Sequence, residues 1–321
     1  MSCRGPALQA ASPSVRLNST FLQLTVQHKT WTDAQWADLF DYFRLLQLSE
    51  VIVQWTAYDD LLFYARPNAS SDSPLARILA QASRTGLKVW VGLYLDSEYW
   101  SRVAEGQATS AYLSGLRERS LAIARDLTPL MKQQPAFLGW YLPEEIDDSN
   151  WQIPEARREL LRHLGFVSGR LHELTPGVGI AISSFSNARA SPAQFRDFWA
   201  DAFHSNVLSR VLLQDGIGVH KLELNEFPLY AAALAEVARS AGREFGIVVE
   251  LFQQTAGLPL DKGRFRASPA PWERVRAQMA IAHRFTRYVV GFSVPEYMTP
   301  VGIRGAEQLY GDYLKEGTDQ Q

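Results

Sequence analysis

The sequence predicts a single-domain α/β protein, a (β/α)8 TIM barrel spanning residues 20–317. Three observations carry that prediction. Short apolar segments alternate with longer segments of helical period, eight times along the chain. Uninterrupted apolar strands between helices imply parallel pairing with both faces covered, and a barrel of this kind takes about 250 residues plus insertions. Polar and acidic residues also gather at the C-terminal ends of the apolar segments and not at their starts, the end at which such barrels build their sites.

The first strand is TFLQLTVQ (20–27), with period-two polarity through Gln23, Thr25 and Gln27. Thr32 with Gln35 three residues on forms a capping-box pattern and opens a helix. EVIVQW (50–55) is the second strand, followed by a helix near 75–85. LKVWVGLY (87–94) is the third; Asp96, Glu98, Tyr99 and Trp100 follow it, then a helix over about 108–132. The fourth strand opens FLGWYLPEEIDDSNW (137–151), an apolar run ending in Glu144, Glu145, Asp147 and Asp148, with a helix at 155–174 stopped by Pro176-Gly177. GVGIAISSF (177–185) is the fifth, and Ser191-Pro192 start the next helix. RVLLQDGIG (210–218), FGIVVELFQQ (245–254) and YVVGFSVPEY (288–297) complete the set, with helices at 228–240, 271–287 and 305–316. An open doubly wound sheet would want a glycine-rich first turn, and only QHKTW follows strand one.

A net charge of −2 gives no electrostatic case for nucleic acid or an anionic membrane. One cysteine, Cys3, rules out an intramolecular disulfide. Residues 1–19, rich in Ser, Ala, Pro and Arg, read as a disordered lead. Cys3 in such a lead resembles the start of a mature bacterial lipoprotein, so a lipid tether and a periplasmic or outer-membrane location are expected; without the tether the chain is soluble. A monomer is expected. Aromatic content of 12% with nine tryptophans supplies faces on which sugars stack.

Strand alternation selects among the acids. Val248 and Glu250 share a face, and Glu250 is the lone charge in IVVELF. Val211, Leu213 and Asp215 share another. Gly139, Tyr141, Pro143 and Glu145 share a third, which points Glu145 into the barrel mouth and Glu144 away; a bulge at Pro143 reverses the choice. Crowded carboxyls disfavour each other's ionisation. Glycoside hydrolysis needs two carboxyl groups, one of them protonated, about 5 Å apart for retention and wider for inversion. Glu145 is the expected acid and Glu250 the nucleophile, while Asp215 orients a hydroxyl, tunes Glu250 or replaces it. Glu144, Gln54, Trp55, Tyr94, Trp100, Tyr141, Trp151, Gln214 and Tyr297 are the expected substrate contacts. Amides suit hydroxyls because each offers donor and acceptor. No cofactor and no metal are expected: only His28 and His220 fall near the mouth, and Lys88 is at the wrong end of strand three for a Schiff base.

The stretches VIVQW (51–55), VWVGLY (89–94), GWYLPEEIDDSNW (139–151), LLQDGIG (212–218) and YMTP (297–300) resemble, in order, the motifs of a poorly characterised bacterial family of TIM-barrel glycoside-hydrolase-like proteins, a domain of unknown function. The resemblance runs over most of the chain from Thr20 and implies a poly- or oligosaccharide substrate, such as a bacterial exopolysaccharide, with Glu145 at the pattern position. The arrangement is distantly similar to the retaining TIM-barrel glycosidase clan, which implies an acid/base after strand four and a nucleophile after strand seven. That clan has Asn before its acid/base, where this chain has Pro143-Glu144. The rival reading is a non-catalytic carbohydrate-binding barrel on a lipoprotein. An isolated Glu250 in an apolar strand opposite Glu145 favours catalysis.

Overall fold

Eight parallel strands close into a barrel in chain order: β1 (Ser19–Leu22), β2 (Glu50–Val53), β3 (Lys88–Gly92), β4 (Phe137–Ile146), β5 (Gly179–Ser184), β6 (Arg210–Gln214), β7 (Glu244–Glu250) and β8 (Val289–Phe292), with β8 pairing back to β1. The computed structural model describes residues 16–67 and 72–318. Cys3 and most of the expected lead lie outside the described residues. Packing against the barrel is present before Thr20: the backbone N–H of Leu17 donates to the Tyr313 hydroxyl at 2.9 Å, and that of Asn18 to the Val289 carbonyl.

The eight main helices cover the barrel: α1 (Asp33–Leu45), α2 (Pro74–Thr85), α3 (Ser110–Met131), α4 (Pro154–Leu174), α5 (Pro192–Ser205), α6 (Phe227–Ser240), α7 (Trp272–Ala282) and α8 (Ala306–Thr318). Their boundaries follow local chemistry. Thr32 and Ser191 form capping boxes with Gln35 and Gln194, and Ser73 caps α2 ahead of Pro74. A large apolar shell fills the space between strands and helices. Trp140 is fully buried there with its indole N–H donating to Thr175, so truncating it to Ala would cost about 3–5 kcal/mol.

Most apolar segments leave the barrel sooner than the sequence suggested. Val26–Thr30 is a 3-10 turn, with His28 packed on Trp31 at 4.6 Å. Tyr94–Leu95 leaves β3 to join Ala57–Tyr58 and Leu61–Leu62 in a small flap. Phe252–Ala256 pairs antiparallel with Arg266–Pro269, and Val294–Tyr297 turns into a short helix. Past the rim these segments find no barrel neighbour to continue the ladder, so their backbone groups pair in local structures instead.

The barrel interior is a layer of Phe21, Ile52, Trp90, Tyr141, Ala181, Leu212, Val248 and Val290. Trp90 lies so close to β4 that a side chain at Gly139 would meet its ring at 2.4 Å. Below this layer the N-terminal end is sealed by polar groups. Glu50 accepts from the Trp90 indole at 2.8 Å, from Arg210 at 2.7 Å and from the Tyr288 hydroxyl. Arg210 also pairs with Glu244 at 2.6 Å, and its guanidinium lies over the Tyr288 ring at 4.0 Å.

Candidate active site

Inward positions recur every second residue along a strand. One step above the apolar layer they are Gln23, Gln54, Ser183, Gln214, Glu250 and Phe292. The ring is hydrogen-bonded: Gln23 donates to Gln54 at 2.8 Å, and the Tyr141 hydroxyl lies 2.7 Å from that of Ser183. Gln214 donates to Glu145 at 2.8 Å.

Glu145 reaches this ring through an irregular strand. Leu142 pairs with Ile182, and Ile146 pairs with Ser184, so β4 carries two residues more than β5 across that step. Because the extra length is two residues, the facing is restored and Glu145 points inward. Glu144 points outward and is buried, 3.5 Å from His163 of α4. Glu145 thus faces the mouth and Glu144 does not, although the strand is not regular there.

Glu250 stands at the end of β7, 3% exposed, and accepts from the Val219 backbone N–H at 3.0 Å. The loop after β6 lies directly on it. A Cβ at Gly218 would come within 2.4 Å of the Phe252 carbonyl and 2.9 Å of the Glu250 carboxyl, so this approach requires glycine. The same loop brings in Lys221, whose ammonium sits 3.2 Å from the centre of the Phe185 ring and within Coulomb reach of Glu145, Glu250, Asp147 and Asp148.

Burial dominates the protonation of these groups. It raises the Glu145 pKa, against the pull of Lys221 and the Gln214 hydrogen bond. It raises Glu250 further, helped by Asp215 and opposed by Lys221 and two backbone N–H groups. It lowers Lys221, while the surrounding carboxylates hold that lysine up. Desolvation and like charge favour protonated carboxyls; an opposite charge favours ionised ones.

Several expected contacts lie elsewhere. Asp215 shares its face with Val211 and Leu213 as expected, but that face meets the helix shell: the carboxyl is fully buried and accepts from Gln278 of α7. It still touches the site from behind, 3.4 Å from the Glu250 backbone N–H. Trp55 is buried with its indole bonded to the Leu24 carbonyl at 2.8 Å. Tyr94 is buried under Arg119, whose guanidinium lies 4.9 Å from its ring. Trp151 is 2% exposed and packs into the outer core beside a cavity of about 150 Å³. These three rings fill gaps behind the rim and offer no open face to a sugar. Tyr141 forms the floor, and Gln54 is 5% exposed, occupied by Gln23. Trp100 keeps 37% exposure and packs on Phe185 at 5.3 Å; Tyr297 packs on Phe252 at 5.2 Å near Glu250. Those two remain as rim aromatics.

Lys221, Ser183 and Gln23 were not anticipated as site residues. Ser183 and Gln23 obey the alternation that finds Gln214 and Glu250, two residues beyond Ala181 and Phe21. Lys221 lies in a loop, and no strand pattern places it. A cleft of about 530 Å³ adjoins the mouth, lined by Asp147, Asn150, Asn187, Lys221, Gln254 and Phe265 among others.

A closed barrel of eight parallel strands with two inward carboxyls at its C-terminal end defines the class: a (β/α)8, or TIM, barrel. The chain belongs to the family described as DUF4434, a domain of unknown function, whose model matches residues 17–304. It is 32% identical over 253 residues to the uncharacterized protein YbcH of Escherichia coli strain K12, covering 78% of this chain and 79% of that one. Among solved structures it is similar to a "putative alpha-L-fucosidase" from Bacteroides thetaiotaomicron, with a TM-score of 0.76 at 18% identity over 98% of this chain and 97% of that one. An endo-beta-1,4-mannanase from Thermotoga petrophila follows with a TM-score of 0.56 at 11% identity, covering 96% of this chain and 78% of that one. At these identities the likeness is one of fold.

Proposed function

We propose that this protein is a glycoside hydrolase that cleaves a poly- or oligosaccharide between Glu145 and Glu250. One observation carries the reading. Two carboxyls from β4 and β7 point into the same mouth, both with proton affinity raised by burial, and both face the single ammonium of Lys221. Two-carboxylate hydrolysis needs one group protonated and the other ionised, and a shared cation favours that division. Glu145, the more accessible of the two, donates its proton to the leaving oxygen. Glu250, oriented by the Val219 N–H, attacks the anomeric carbon. A nucleophile must be ionised, and Asp215 behind Glu250 works against that. Lys221 and the backbone N–H groups of Gly218 and Val219 oppose that effect and favour the ionised form of Glu250. Asp215 thus tunes Glu250 from behind and does not touch substrate.

The test is a panel of bacterial exopolysaccharides and plant glycans offered to wild type, Glu145→Gln and Glu250→Ala, with binding recorded beside cleavage. Aryl glycosides with good leaving groups separate the roles, because they need no acid: Glu145→Gln retains activity on them, and Glu250→Ala regains activity only with added azide. Binding without cleavage by wild type across the panel would leave the carbohydrate-binding barrel as the better reading.

A further inference from the structure

Beyond the two acids, the cleft beside the mouth has a charge balance opposite to that of the whole chain. The chain carries a net charge of −2. Arg189 and Lys221 line the cleft, against one carboxylate, Asp147. Its far wall is the hairpin of Phe252–Ala256 and Arg266–Pro269, whose connecting loop reaches the cleft through Leu258, Pro259 and Phe265 and also carries Lys262 and Arg264.

The nearby acids are already occupied. Asp147 accepts from the Asn150 backbone at 3.0 Å, the Asn150 amide at 2.6 Å and the Asn187 amide at 3.2 Å. Asp261 accepts from the Gly257 and Gly263 N–H groups at 2.9 and 2.7 Å, which hold its carboxyl below the usual range. Lys221 answers the acids of the mouth. Arg189, Lys262 and Arg264 enter no ion pair among the described residues. Phe265, next in sequence to Arg264 on the same loop as Lys262, presents a ring that is 55% exposed and lines the cleft with Arg189. An exposed ring on a loop with unpaired cations suits a sugar that stacks by one face and carries a negative substituent at its edge. The cleft, about 530 Å³, is within the usual range for ligand sites, about 300–1,000 Å³.

We infer that the glycan bound in this cleft is anionic, bearing carboxylate or sulfate groups that Arg189, Lys262 and Arg264 recognise, with Phe265 stacking on the sugar. The inference rests on the hydrolase reading only for placing the glycan chain across the mouth, since recognition in the cleft is a binding property. It assigns to the hairpin a role in choosing substrate, although the hairpin lies outside the barrel ladder.

Matched pairs of probes test it by affinity electrophoresis at near-physiological salt. One pair is polygalacturonate and the same polymer with its carboxyls reduced. The other is dextran sulfate and dextran. The full-length protein should bind a charged member at least tenfold more tightly than its neutral partner, and the pair showing the larger ratio tells carboxylate from sulfate. The ratio should fall toward one in Lys262→Gln/Arg264→Gln, and Arg189→Gln alone should lower it severalfold. Phe265→Ala should weaken binding of the charged and neutral members alike. Equal affinity within both pairs for wild type overturns the inference, as does a ratio that survives in the double variant combined with Arg189→Gln. Neutral glycans bound and cleaved as well as charged ones would sink this inference and leave the hydrolase reading standing. Charge-selective binding without cleavage of any glycan would do the reverse.

Discussion

The two ends of the barrel contain similar groups: carboxylates, cations and aromatic rings. At the N-terminal end each group has its partner. Glu50 receives three hydrogen bonds from Trp90, Arg210 and Tyr288, and Arg210 is shared with Glu244 and covered by two rings. At the C-terminal end the carboxyls outnumber the cations that face them. Lys221 faces Glu145, Glu250, Asp147 and Asp148, Arg274 reaches Glu250 and Asp215 from the helix side, and burial raises the proton affinity of Glu145, Glu250 and Asp147. The lower cluster holds the fold, whereas the upper one is kept away from its own electrostatic optimum. That is the expected location of chemistry, since perturbed groups in a cleft mark functional sites.

The largest effect expected from breaking the symmetry is on activity. Glu145→Gln and Glu250→Gln should each lower kcat on natural glycans by roughly 10³-fold while the protein stays folded. Wild-type turnover in either variant, measured on the substrate found in the panel, would remove that residue from the mechanism. At the other end the effect should move to stability. Glu50→Gln leaves Arg210 short of a partner at a nearly buried site, and should cost about 3 kcal/mol in denaturant unfolding with kcat changed little. A loss of activity without a loss of stability there would mean the two ends are coupled.

Two smaller effects sharpen the contrast. Asp215→Asn removes the carboxyl behind Glu250, so the limb of the pH–rate profile assigned to Glu250 should move toward lower pH, on the order of one unit. An unmoved limb would show that Asp215 does not tune Glu250. The smallest effect is on melting temperature. Folding raises the pKa of Glu250 above its usual 4.5, so this group's contribution is fully present below about pH 4.5 and is lost as pH rises through the raised value. Glu250→Gln should therefore gain about 2–4 °C in Tm over wild type near pH 9, and much less near pH 5. A variant that melts lower than wild type at both pH values would mean that the ionised carboxylate is held by stronger partners than Lys221 and the Val219 N–H. Glu296, pushed up to about 7 by burial, adds a pH dependence of the same sign in both proteins and leaves the difference intact.

Most of the fold was legible because barrel strands carry their signal locally. Val248 and Glu250 alternate in one short run, and Thr32 with Gln35 marks a helix start within four residues. The inward choice of Glu145 over Glu144 was legible for the same reason. Three things were hidden. Alternation says which residues share a face and not which face is inside, so Asp215 was grouped correctly with Val211 and Leu213 and still lies on the helix side. Aromatic content does not distinguish an open ring from a packed one: Trp55, Tyr94 and Trp151 are consumed by the second layer. Lys221 arrives by the folding of a loop over Gly218, a tertiary event with no period to read.

The widened step in β4 has a consequence for how this site tolerates change in chain length. Between Leu142 and Ile146 the strand spends four residues where β5 spends two. Removing two of them would restore a plain ladder and keep the same register of faces beyond it. Removing one would turn every later side chain of the strand over, carrying a different acid to the mouth and sending the other toward His163. Length variation here is therefore filtered by odd and even: whole pairs of residues keep the counterpart of Glu145 inward, and an odd change puts the counterpart of Glu144 there instead.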